Sequence, residues 1–212
     1  MKKPVIAAAT ALLLASTLAA CGRTETTSPA TPTAVQSPAN LPPITLSPEV
    51  NELIDGATVP ADAFLQMAGV GNMFEIQAGT IASEKSNNPD VRAYGREMVE
   101  DHGMMGLELN SKASIAGSTY TVPVTLDAKH QAMIDQLEAA SAEEFDQLYI
   151  EMMRQSHKDT YELLNAMADR GSLANFNEFA EDNKEMVLEH LNEANDLAGQ
   201  LMSENMGDNA TM

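Results

Sequence analysis

SNNPDVRAYGREMVEDHGMMGLELNSKASIAG, residues 86–117, is the stretch on which the fold turns. Asn88 is placed to cap a helix, and Pro89 to take its first position, where a missing N–H costs nothing. From there Val91, Tyr94, Met98, Met105 and Leu109 recur with a period near 3.6 residues until Gly117 stops the run. A helix of this length with one apolar stripe has to bury that stripe against other helices. His102 sits in the middle of the stripe, and a polar ring on a core face needs a partner.

Working outward, the same pattern recurs. Residues 61–85 read as a first helix ended by SNNPD, with Phe64, Ala68, Gly71, Ala78 and Ala82 on one face and Glu75 among them. GSTYTVPVT, residues 117–125, is polar and β-branched with a proline, so it reads as loop. Asp127 caps a shorter helix through Ala140, and Ser141-Ala142-Glu143-Glu144 reads as a capping box opening a long helix to Arg170. Gly171 ends that helix, Ser172 caps the next, and the last runs to about Asn205. Tight connections follow the first and third long helices, and the connection between the second and third is long. This predicts an all-α fold: a ferritin-like antiparallel four-helix bundle over residues 61–205, with a short extra helix in the crossover between helices 2 and 3 and a frayed tail at 206–212.

Residues 1–20 read as a signal peptide: two lysines, an apolar run of small residues, then Leu18-Ala19-Ala20 before Cys21. The run resembles a bacterial lipoprotein signal, whose box ends in the lipidated cysteine. Gly22 after it implies an exported protein, anchored through Cys21 in the outer membrane and facing the periplasm. Cys21 is the one cysteine, so no internal disulfide can form. Residues 21–60 read as the lipidated cysteine and a disordered tether, because seven of the ten prolines fall between residues 24 and 60 among Ser, Thr and Ala. A short helix near Glu49–Ile54 is the one element expected within it. The formal net charge of −19, made more negative when Lys2 and Lys3 leave with the signal, excludes nucleic acid as an electrostatic partner. The expected partners are the membrane, through the anchor, and an envelope protein within reach of the tether.

Three of the four histidines share an outline: MVEDH ends at His102, MRQSH at His157 and MVLEH at His190, each with a methionine four residues before it, Met98, Met153 and Met186. His102 and His190 fall on their apolar stripes, His157 at the flank of its own. Counting from the connecting turns at about 1.5 Å per residue puts Glu75 and His102 at similar depth, and His157 and His190 about 7 Å apart. One inward polar residue per long helix predicts a core site of Glu75, His102, His157 and His190, with Asp101 as an auxiliary beside His102. Imidazole and carboxylate suit one transition metal ion: Cu, Fe, Mn or Zn. No Glu-x-x-His precedes any of the three histidines, which argues against a di-iron centre. Met98, Met153 and Met186 are auxiliary candidates, since thioether beside imidazole favours Cu(I), and the MVEDHGMM stretch loosely resembles the Met/His helices of periplasmic copper-binding lipoproteins. Fourteen methionines in a chain with 4% aromatic residues, however, read first as core filler. Without an ion, the same histidines would form a hydrogen-bonded polar layer that fixes helix register. His130, on the crossover helix, reads as a cap or surface contact. No nucleophile paired with a base and no phosphate-cradling loop is evident, so hydrolytic chemistry is disfavoured.

FLQMAGVGNMFEIQAGTIASEKSNNPDVRAYGREMVEDH, LDAKHQAMIDQL, FDQLYIEMMRQSHKDTYELL and LEHLNEA together resemble the bacterial domain of unknown function 4142, over about Ala61 to Leu201. Glu75, Asp101-His102, His130-Gln131, His157 and His190 fall where that pattern has them. Ser156 stands where the family often has Asp, and Glu185 where it often has Pro. The resemblance implies a ferritin-like fold and an outer membrane association; it supplies no activity. Two functions remain open at this point: a transition-metal site for envelope metal handling or stress tolerance, and a metal-free structural or interaction module.

Overall fold

The structure, a computed structural model, describes residues 41–116 and 119–209. The predicted signal peptide, Cys21 and the first half of the predicted tether lie outside the described residues. Within them the chain forms six helices and no strand: α1 (Pro48–Ile54), α2 (Ala61–Lys85), α3 (Pro89–Ala116), α4 (Ala128–Ala139), α5 (Phe145–Arg170) and α6 (Ala174–Asn209).

The helix starts have local causes. Asn88 Oδ1 accepts from the N–H groups of Asp90 at 2.9 Å and Val91 at 3.4 Å, which satisfies two of the donors that open α3. Asp127 does the same for α4 through the His130 N–H at 2.8 Å. Ser172 departs from its expected role. Its hydroxyl accepts from the Ala61 N–H at 2.8 Å and so caps α2 rather than α6. The cause is an isolated parallel bridge between Val59 and Gly171, which lays the chain before α2 against the α5–α6 turn. Gly171 itself is a close approach: a Cβ there would stand 2.5 Å from the Met167 carbonyl oxygen and from Asn177 Oδ1.

In packing, α2 lies against α3 and α5, and α6 lies against α3 and α5, so the four long helices close a ring. α4 rests on α2 and α5, and α1 on α5. The α2–α3 contact is close because Gly79 and Gly95 meet: a Cβ on Gly79 would lie 2.6 Å from the Gly95 carbonyl oxygen, and one on Gly95 2.8 Å from that of Gly79. The interior falls into two apolar clusters. One holds Phe64, Leu109, Leu164, Met167, Phe176 and Phe179; the other holds Phe74, Tyr94, Met98, Phe145, Tyr149 and Met153. Between them in the sequence of every long helix stands a buried polar residue: Asn72, His102, His157 and His190, with Glu75 just inside the second cluster beside Phe74.

The expectation that residues 21–60 are tether throughout is corrected for the second half. Residues 41–60 pack on the helices because α5 supplies partners for their backbone. The Ser47 N–H donates to Asp159 Oδ1 at 2.9 Å, Gln155 Nε2 to the Thr45 carbonyl at 3.0 Å, and Arg154 Nη2 to the Pro42 carbonyl at 3.1 Å. Val50 and Val59 are buried, which anchors the segment with apolar area as well.

Candidate metal centre

His102 on α3, His157 on α5 and His190 on α6 come together. Their ring centroids form a nearly equilateral triangle: 5.4 Å from His102 to His157, 5.5 Å from His102 to His190 and 5.4 Å from His157 to His190. One candidate ligand atom from each lies within 4.8 Å of the others, and the three residues are 0–2% exposed. His157, placed at the flank of its stripe by sequence, is therefore fully inside. The width of the buried face on α5 explains the difference: Tyr149, Met153 and Leu164, on the same edge as His157, are themselves 0% exposed.

Each ring has one nitrogen fixed from outside. His157 Nδ1 donates to the Met153 carbonyl at 2.8 Å. His190 Nε2 donates to Asp101 Oδ2 at 3.0 Å. His102 Nδ1 stands 3.1 Å from Asn72 Oδ1, an acceptor. In a neutral imidazole the other nitrogen is then a lone pair. The three free nitrogens are His102 Nε2, His157 Nε2 and His190 Nδ1. The first two face each other at 3.4 Å, and the third has no hydrogen-bond partner among the described residues. Burial, reinforced by the neighbouring imidazoles, holds His102 well below its ordinary value and His157 down to about 3, so both rings are neutral at pH 7.

Two lone pairs facing each other repel unless a proton on one nitrogen or a cation lies between them. Two imidazoles on a tetrahedral ion, with metal–nitrogen bonds of about 2.0–2.1 Å, stand about 3.3–3.4 Å apart. The donor set and the observed 3.4 Å separation fit such an ion. Outer acceptors that orient each ring are what a metal-binding histidine needs.

Glu75 is brought near but not into the triangle. Its Oε1 is 3.9 Å from His157 Nδ1, the outward nitrogen, so of the four predicted residues the three histidines cluster and Glu75 stands behind one of them. Its register on α2 places it there: Asn72, about one turn earlier, is the α2 residue that reaches His102. Glu75 is 1% exposed, and neither oxygen has a well-formed hydrogen bond among the described residues. Burial pushes its carboxyl up to about 8, and the adjacent Ser156 hydroxyl offsets only part of that. Burial likewise raises the phenols of Tyr94 and Tyr149. The Tyr94 hydroxyl donates to the His190 carbonyl at 3.1 Å.

Asp101 orients His190 rather than its sequence neighbour His102. Met98 and Met153 lie in one apolar cluster, and Met186 is partly buried against the other. Met153 reaches the site through its carbonyl oxygen. His130 pairs with Asp127 at 2.8 Å on the end of α4, and its ring lies 5.4 Å from that of Phe74. A cavity of about 430 Å³ between α1, α2, α4 and α5 is lined by Val50, Met67, His130 and Ser156 and touches none of the three imidazoles.

Sequence reasoning missed Asn72 and Arg154. Asn72 had a signal in Gly106: a Cβ there would meet the Asn72 amide at 2.7 Å, so the glycine makes room for it. Arg154, 1% exposed, donates to Asn195 Oδ1 at 2.9 Å and to Glu151 at 2.6 Å, and nothing in its spacing announces this.

The family model described as Domain of unknown function (DUF4142) matches residues 54–197. The chain belongs to this family. No curated protein and no solved structure matches it. The three imidazoles all lie within the matched DUF4142 region, as do Asn72 and Asp101, so the whole constellation belongs to the domain and not to its flanks.

Proposed function

We propose that this DUF4142 protein is a ferritin-like four-helix bundle that holds one transition metal ion on His102, His157 and His190, in envelope metal handling or stress tolerance. The observation that carries the reading is the inward set of free nitrogens, each ring pinned from outside by Met153, Asp101 or Asn72. A polar layer serving only helix register would be expected to pair its own nitrogens, yet His190 Nδ1 is left without a partner among the described residues. Three imidazole donors, two of them 3.4 Å apart, suit Zn(II) or a copper ion before octahedral Mn(II), which asks for oxygen donors. Glu75, kept largely protonated by burial in the metal-free chain, stands behind His157 and would balance part of the ion's charge only once that charge draws off its proton.

The ring of four long helices, with α4 in the connection between α3 and α5, supports the ferritin-like arrangement. No helix among the described residues is long and apolar enough to cross a membrane. The reading places membrane attachment on lipid at Cys21, which rests on the resemblance of the leading residues to a lipoprotein signal.

The test is metal content and melting temperature of the mature chain with Zn(II), Cu(I), Mn(II) and Fe(II), beside a His102→Ala/His190→Ala double variant. The reading predicts near-stoichiometric metal and a raised melting temperature, both lost in the variant. No metal, with a variant that only melts earlier, would leave a structural or interaction module of the envelope.

A further inference from the structure

His190 belongs to two sets of potential ligands at once. Besides the inner triangle, it groups with Glu97 and Asp101, whose carboxylate oxygens lie within 4.8 Å of one another and of an imidazole nitrogen. The second set runs from the surface inward. Glu97 is exposed, the Asp101 side chain is 25% exposed and the His190 side chain 3%. Its innermost member is a buried imidazole with one nitrogen already directed at Asp101 at 3.0 Å and the other unpartnered among the described residues. Two carboxylates and one imidazole are donors for a divalent transition cation.

A neutral imidazole offers one lone pair. His190 can therefore complete the outer set through Nε2 or the inner set through Nδ1, one at a time. We propose that Glu97, Asp101 and His190 Nε2 form an outer capture site for a divalent transition cation, which passes the ion to His102, His157 and His190 and cannot be filled together with them. The proposal rests on the three-histidine reading for its destination. The ring keeps one proton throughout: on Nδ1 while Nε2 holds the captured ion, and on Nε2, toward Asp101, once Nδ1 has taken it. The transfer moves one proton between the two nitrogens and releases none. Carboxylates at the mouth raise the local cation concentration and the loading rate, an effect that salt screens.

The experiment is stopped-flow loading of the mature chain with Co(II) at low ionic strength, comparing Glu97→Gln with Asp62→Asn, which removes one exposed carboxylate far along α2. Glu97→Gln should slow loading at least about threefold and slow release with it, Asp62→Asn should not, and the endpoint should be one ion per chain. Equal rates in the two variants would overturn the capture site. Two ions bound per chain at saturation would overturn the mutual exclusion. A His102→Gln chain separates the two sites, since it should keep a weak Co(II) site that Glu97→Gln abolishes. If the unmutated chain shows only that weak, Glu97-dependent site, the inner reading fails and the capture site stands. Weak binding that survives Glu97→Gln overturns the capture site.

Discussion

At the residue scale, the site depends on who holds each ring. Asp101 fixes His190 from a quarter-exposed position, so its loss should be felt by the metal before it is felt by the fold. We expect Asp101→Asn to weaken Zn(II) binding about 10–100-fold with little change in the metal-free melting temperature; a titration of both forms checks this. Glu75 makes a prediction of opposite character. Its folded value, about 8, lies above the ordinary 4.5, so the folded state holds a proton that the unfolded state releases. The stability this contributes is full below pH 4.5 and is lost as pH rises through about 8. Glu75→Gln cannot ionise, so its stability relative to the unmutated chain should rise across that window and level off above it, a gain of up to about 5 kcal/mol at about 1.4 kcal/mol per pH unit. Urea denaturation at several pH values reads this directly; a constant difference would mean that the carboxyl is already paired.

At the element scale, α2 and α3 are held close by the Gly79–Gly95 contact. Gly95→Ala would force a Cβ to 2.8 Å from the Gly79 carbonyl oxygen, a backbone atom that cannot rotate away. We expect it to destabilise by about 1–3 kcal/mol by overpacking, and to weaken metal binding because Asn72 on α2 would be carried away from His102 on α3. The helices themselves were legible from the sequence. Stripes of period 3.6, the Asn88 and Asp127 caps and the stops at Ser86 and Gly171 are local properties, and α2 and α5 end where those stops lie. The three histidines were legible too, since each stands on or beside an apolar stripe. What was not legible depends on contacts distant in sequence. Ser172 caps α2 because Val59 pairs with Gly171, and Glu75 misses the triangle because Asn72 takes the position facing His102. The packed segment 41–60 has the composition of a tether, and its partners Arg154, Gln155 and Asp159 lie more than a hundred residues away.

At the scale of the whole molecule, two apolar clusters clamp an imidazole layer in which the metal-free protein must keep His102 and His157 deprotonated. Their folded values lie below the ordinary 6.5, so the unfolded chain takes up protons first as pH falls. Stability contributed by His102 and His157 is thus present above pH 6.5 and drains away between there and about pH 3. Bound metal should move that acid transition to lower pH, since it holds the same nitrogens deprotonated; circular dichroism across pH 3–7, with and without Zn(II), measures the shift. The most direct test of the three-histidine centre is the visible spectrum of the mature chain titrated with Co(II), beside His157→Ala. The account predicts intense bands of a four-coordinate, nitrogen-bound ion that saturate at one Co(II) per chain and are absent from the variant. Weak bands of a hydrated ion in both proteins, with no saturation, would contradict it.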